Sequence, residues 1–242
     1  MTTLTVAARF CGPASSANGG YFAGLVAALA PVTVSVRLLK PPPLNTPLSV
    51  SALAEGQLRV LNGAEPIGEA HPAVLQLETP GAPDYLEAVE ASRRYAGFRH
   101  HRFPSCFVCG TQRARGDGLR IFAGPLPERG MVAAPWVPDA SLDAGDGKVR
   151  AEFMSAALDC PGYYAVAPDD RMLLLAELTA HVDRRVHIGE SCTVIGWQIA
   201  VDGRKHEAGT ALFDGKGQLC GRARALWLAP RSASVSELPA AR

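Results

Sequence analysis

Apolar and polar positions alternate along much of this chain with the period of two expected of half-buried strands. Two stretches break that pattern with the longer period of a helix. Residues 32–39 are β-branched and alternating, and residues 48–53, 57–62 and 67–77 follow as further strands, with Asn62-Gly63 as a hairpin turn. Residues 1–10 predict a short strand ahead of them. A turn-rich loop over 11–20 then leads through Asn18-Gly19-Gly20 into the first helix. Phe22, Leu25, Val26 and Leu29 form its apolar stripe, small Ala23, Gly24, Ala27 and Ala28 let other backbone come close, and Pro31 stops it. In the second half, residues 119–122 and 131–136 are expected as strands, then a helix from Glu152. Four more strands follow over 173–182, 192–201, 207–213 and 219–228.

The stretch 153–162 carries the sharpest question. Phe153, Ala156, Ala157 and Cys160 fall at i, i+3, i+4 and i+7 and predict one face packed on a core, with Pro161-Gly162 ending or kinking the helix. A single carboxylate, Asp159, is set among these residues. An acid on such a segment is paired, exposed at an edge, or used.

The two halves follow one plan. Laying Thr33 on Glu177 puts Ser35 on Thr179, Lys40 on Arg184, Leu44 on Ile188 and Leu48 on Cys192. Identity is low, but the order of helix, strand, basic turn and strand pair is shared. The expectation is an α+β protein of two tandem units, each one helix against an antiparallel sheet. Residues 1–80 form the first unit, 81–104 a linker, 105–230 the second unit and 231–242 a tail. The linker contains a short polar helix near Tyr85 and the basic run Arg99-His-His-Arg102, read as a solvated face.

Composition narrows the function classes. The 242 residues are 48% hydrophobic and 19% charged, as in a folded soluble protein, and the formal net charge of +1 gives no general attraction to nucleic acid or to an anionic membrane. No apolar run approaches the roughly 18 residues of a membrane span, and the N-terminus lacks a basic-then-apolar leader, so a cytoplasmic protein is expected. Six scattered cysteines in a chain of this size are expected as reduced thiols. Cys106-x-x-Cys109, with His100 and His101 upstream, has zinc-ligand character. No second cysteine pair accompanies it, and the site reading includes no metal and no cofactor. Cys160, on the apolar stripe, is read as core rather than as a nucleophile.

Several motifs together resemble the hotdog-fold acyl-CoA thioesterases in their double-hotdog form, of the phenylacetate-pathway type. They are Cys106-Phe-Val-Cys-Gly110, Gly116-Asp-Gly-Leu-Arg-Ile-Phe122, the helix carrying Ala157-Leu158-Asp159, the basic turn at 182–189, and the closing stretches 211–219 and 223–228. The resemblance covers 103–230 well and 10–75 more loosely. It accounts for Cys106 and Cys109 as packing residues. It also implies a His-Gly-Gly turn at the start of the long helix, with an Asp or Glu eight residues on and the turn of one hotdog facing the acid of the other. Here the motif is divided. The first half has Asn18-Gly19-Gly20 but Val26 at the acid position; the second has Ala151-Glu152-Phe153 in place of the turn but keeps Asp159. One composite site would survive.

In that site Asn18, Gly19, Gly20 and Asp159 are the candidate catalytic residues. Backbone N–H groups of Gly19, Gly20 and Tyr21 at a helix N-terminus suit a developing oxyanion, with Asn18 as a further donor or a plain N-cap. Asp159 is general base or nucleophile. Tyr21 and either Arg184 with Arg185 or Arg204 with Lys205 are candidate substrate contacts, the cations for CoA phosphates unless they are merely solvated. The expected partner is an acyl-CoA or acyl-carrier-protein thioester, without nucleic acid or membrane. A homodimer through sheet edges or helices is admitted but specified by no residue. Two rivals remain: a non-catalytic acyl-binding or regulatory protein, and a hotdog hydratase or dehydratase, whose Asp and His pair is not found.

Overall fold

The computed structural model describes residues 2–167 and 171–231. Among these, eleven strands form one antiparallel sheet. They are β1 (Thr2–Leu4), β2 (Val34–Leu38), β3 (Leu48–Ala52), β4 (Leu58–Asn62), β5 (Glu65–Pro72), β6 (Gly124–Leu126), β7 (Met131–Trp136), β8 (Leu174–Val182), β9 (Cys192–Asp202), β10 (Lys205–Phe213) and β11 (Leu219–Leu228). The helices are α1 (Gly19–Ala27), α2 (Tyr85–Ser92), α3 (Ala151–Ala157) and α4 (Cys160–Val166). Of the tail expected over 231–242, Arg231 is described and the rest lies outside the described residues.

The sheet runs β1-β3-β4-β5-β2-β8-β11-β10-β9-β7-β6. Outward from the β2–β8 junction one side reads β2, β5, β4, β3, β1 and the other β8, β11, β10, β9, β7. In chain order α1 stands between β1 and β2, and α3 with α4 between β7 and β8. The junction pairs Ser35 with Thr179, Val36 with Leu178 and Arg37 with Glu177, and the Ser35 hydroxyl donates to Glu177 Oε1 at 2.6 Å. The alternation seen in sequence is real in β2 and β3, where Val34, Val36, Leu48 and Val50 are buried, Ser35, Ser49 and Ser51 only partly so, and Arg37 is exposed.

Glycines let α1 and α3 cross with their backbones nearly touching. A Cβ on Gly24 would lie 2.8 Å from Glu152 Cα, and one on Gly20 would lie 2.9 Å from the Ser155 carbonyl and 2.5 Å from Asp159 Cβ. This close approach carries the first turn of α1 to the end of α3. Phe22, Val26, Phe153 and Met154 fill the core around the crossing.

Three expectations are corrected. Residues 119–122 are not a strand. Arg120 sits in the left-handed region at φ 55°, which breaks an extended run. The segment is apolar because Leu119, Ile121 and Phe122 are buried as irregular chain, tied by Leu119 N–H to the Phe107 carbonyl (2.8 Å) and Ile121 N–H to that of Val108 (2.9 Å). The helix expected over 153–162 is two helices. The break falls at Leu158-Asp159, and Pro161, whose missing N–H suits a first helical turn, opens α4 instead of ending a helix. The strand expected over 67–77 starts at Glu65 and ends at Pro72, which cannot donate to a ladder. Residues 81–104 contain α2, capped by Asp84 and Glu87, whose Ala88 and Ala91 are buried in a cluster with Leu126 of β6 and Met131 of β7.

Candidate functional site

Asp159 sits in the break between α3 and α4, 2% exposed. Its Oδ2 accepts two hydrogen bonds from the other half of the chain, from the Asn18 side-chain amide at 2.7 Å and from the Gly20 N–H at 2.9 Å. Asn18 Oδ1 in turn accepts from the Tyr21 N–H at 2.9 Å, so Asn18 is at once N-cap of α1 and partner of the acid. Asp159 Oδ1 is buried and has no hydrogen-bond partner among the described residues. Burial pushes the Asp159 carboxyl up to about 7; the Gly20 N–H opposes this, charge on the Cys106 sulfur adds to it, and the Asn18 amide opposes it.

The structure therefore brings Asn18, Gly20 and Asp159 together, but it uses the helix N-terminus differently from the sequence expectation. The Gly20 N–H is taken by Asp159 and the Tyr21 N–H by Asn18, so neither is left for an oxyanion. The reason is steric: without a side chain, Gly20 lets the carboxylate sit directly against its amide. Gly19, whose N–H an α-helix leaves without an intrahelical acceptor, lines a cleft of about 750 Å³ that also reaches Asn18 and Asp159. Leu38, Leu173, Leu175, Tyr163 and Trp227 give this cleft apolar walls, and Lys40, Arg102, Arg204 and Arg231 add cations to its lining.

The remaining candidates divide. Tyr21 does not line the cleft; its ring is buried between Phe10 (centroids 4.3 Å apart) and Phe153 (5.5 Å). Arg184 pairs with Asp214 and Arg185 with Asp146, and neither reaches the cleft, because each answers a turn carboxylate of its own. Arg204 lines the cleft, held by a 2.8 Å hydrogen bond from Nε to the Ala229 carbonyl; Lys205, the first residue of β10, does not.

Two features escaped sequence reading. His101 belongs to the cleft rather than to a solvated basic face. Its Nδ1 accepts from the Phe103 N–H (3.0 Å), which leaves the proton on Nε2 to donate to the Cys109 carbonyl (2.9 Å). Tyr95 donates to the same carbonyl (3.0 Å) and its hydroxyl lies 2.6 Å from that of Tyr164, which burial keeps protonated. The second feature is a cluster of three buried thiols, Cys106, Cys109 and Cys160, with sulfurs all within 4.8 Å of one another. The Asn18 amide nitrogen lies 3.9 Å from the Cys106 sulfur and 4.0 Å from that of Cys160. The basic run and the lone Cys-x-x-Cys were the only signals, and neither points to the residues it meets.

No protein-family model matches the chain, and no curated protein matches it. Solved structures do. A candidate thioesterase from Novosphingobium aromaticivorans superposes over 95% of this chain and 95% of its own with a TM-score of 0.61 at 14% identity. A candidate thioesterase II from Thermobifida fusca covers 95% and 93% with a TM-score of 0.58 at 15% identity. The tesB protein of Mycobacterium avium subspecies paratuberculosis covers 88% and 84% with a TM-score of 0.55 at 17% identity. The chain has the thioesterase-like hotdog fold.

Proposed function

We propose that the chain is a double-hotdog hydrolase of acyl thioesters, with one composite site per chain. Two tandem hotdog repeats are supported by the strand order, which is the same outward from the β2–β8 junction on both sides. The observation that carries the function is the carboxylate itself. Asp159 Oδ2 is fixed by Asn18 and Gly20 while Oδ1 has no partner among the described residues, at the edge of an apolar cleft. A buried carboxyl with its pKa pushed near neutrality is matched to general-base work.

In this reading Asp159 Oδ1 takes a proton from the water that attacks the thioester carbon. The Gly19 N–H donates to the carbonyl oxygen as negative charge develops on it. The tetrahedral intermediate collapses by breaking the carbon–sulfur bond, and Asp159 returns the proton to the departing thiolate. The acyl chain occupies the leucine-lined wall. Arg102, Arg204 and Arg231 suit the phosphates of CoA, Lys40 being already paired with Glu65, which makes acyl-CoA the favoured substrate over a carrier-protein thioester.

A second reading, non-catalytic binding of an acyl thioester, draws on the two helix-terminal N–H groups already committed to Asp159 and Asn18. Thiol release from an acyl-CoA panel by wild type and Asp159→Asn separates the two. Hydrolysis that the substitution lowers by about 10²–10⁴ supports the enzyme. Equal, negligible rates with saturable binding of the same acyl-CoAs would reject it for the binding protein.

A further inference from the structure

Cys106, Cys109 and Cys160 are not disposed as ordinary packing thiols. The Cys106 and Cys160 sulfurs lie 3.8 Å apart. Two thiolates at zinc–sulfur distances of about 2.3 Å, separated by a tetrahedral angle, stand about 3.8 Å from each other. The third sulfur, Cys109, lies within 4.8 Å of both.

The turn that carries two of them is built for such a ligand pair. Gly110 N–H donates to the Cys106 carbonyl at 2.9 Å, closing Cys106-Phe-Val-Cys-Gly110 tightly. A Cβ on Gly110 would fall 2.4 Å from that carbonyl oxygen and 2.5 Å from that of Pro104, so glycine is required.

We propose that Cys106, Cys109 and Cys160 bind one thiophilic divalent ion of the zinc class, joining the 106–110 turn to the first residue of α4. No fourth Cys, His, Asp or Glu completes the group among the described residues. All three cysteines line the cleft, so the fourth position faces the cleft and takes water or a small exogenous donor. Three thiolates more than neutralise a divalent ion, so the ion acts by fixing structure and not as a strong Lewis acid. It ties Cys160, and through the chain Asp159, to the loop beneath the cleft. This proposal does not depend on thioester hydrolysis.

The test is metal content and ligand-field spectroscopy on the full chain, purified reduced and without chelator. Expected are about one zinc per chain and, after exchange into Co(II), thiolate-to-cobalt charge-transfer bands with intense tetrahedral d–d bands. Cys160→Ser should lose the metal and weaken those bands, while Cys192→Ser keeps both. If Cys160→Ser does not fold, the wild-type cobalt spectrum and the same comparison with Cys109→Ser decide. A wild-type chain that holds no metal as purified and takes up neither Zn(II) nor Co(II) overturns the proposal. So does undiminished metal in folded Cys160→Ser, or a native Cys106–Cys160 disulfide found by mass spectrometry before reduction.

Discussion

Replacing Asp159 by Asn should alter stability in a way that depends on pH. In the unfolded chain the carboxyl ionises near its ordinary 3.8; in the folded protein burial holds the proton to about 7. Between those values the folded state binds more protons, so wild-type stability is greatest below about pH 4, falls as pH rises through 7, and levels off above it. The difference of roughly three pH units, at 1.36 kcal/mol each, sets an upper bound of about 4 kcal/mol lost by ionisation in the fold. Asparagine removes the titration and can still accept from Asn18 and Gly20 through its Oδ1. Urea denaturation of both proteins at about pH 4.5 and pH 8, at constant ionic strength, measures the effect. The variant should gain on wild type by up to about 3 kcal/mol across that range, on the order of 10 °C in relative Tm. Parallel pH dependences for the two proteins would refute the reasoning, because they would mean that Asp159 ionises equally easily folded and unfolded.

Three further outcomes follow from the same contacts. Asn18→Ala removes both the cap of α1 and a partner of Asp159, and should destabilise by about 1–2 kcal/mol in urea melts. Because that partner favours the charged carboxylate, the substitution should also move the activity midpoint to higher pH. Gly20→Ala drives a Cβ to 2.5 Å from Asp159 Cβ and should cost about 1–3 kcal/mol along with most activity, whereas Gly81→Ala, with nothing within 4 Å, should leave denaturation and turnover unchanged. Arg204→Ala should raise KM for acyl-CoA several-fold at low salt and leave KM for the matching acyl-pantetheine unchanged, as initial rates with the two substrates will show.

The sheet was largely legible because its strands carry period-two patterns strong enough to survive without context. Reading failed where burial, not period, sets composition: Leu119, Ile121 and Phe122 are apolar because irregular chain is packed inside. The division of the motif between Asn18-Gly19-Gly20 and Asp159 pointed to residues that do meet. The use of the Gly20 and Tyr21 N–H groups was not legible, since it depends on how closely α3 approaches α1. The thiol cluster was hidden for a similar reason. Cys160 reaches Cys106 and Cys109 only because the chain breaks at Asp159, and His101 turns inward through its own hydrogen bonds to Phe103 and Cys109.

The most direct measurement is kcat/KM for acyl-CoA hydrolysis against pH, in wild type and Asp159→Asn. If Asp159 is the base in the free protein, the wild-type value should rise about tenfold per pH unit below its pKa and reach a plateau above about 7. The variant should lie about 10²–10⁴ lower and lose that inflection. A variant with the wild-type rate and the wild-type pH profile would contradict the account.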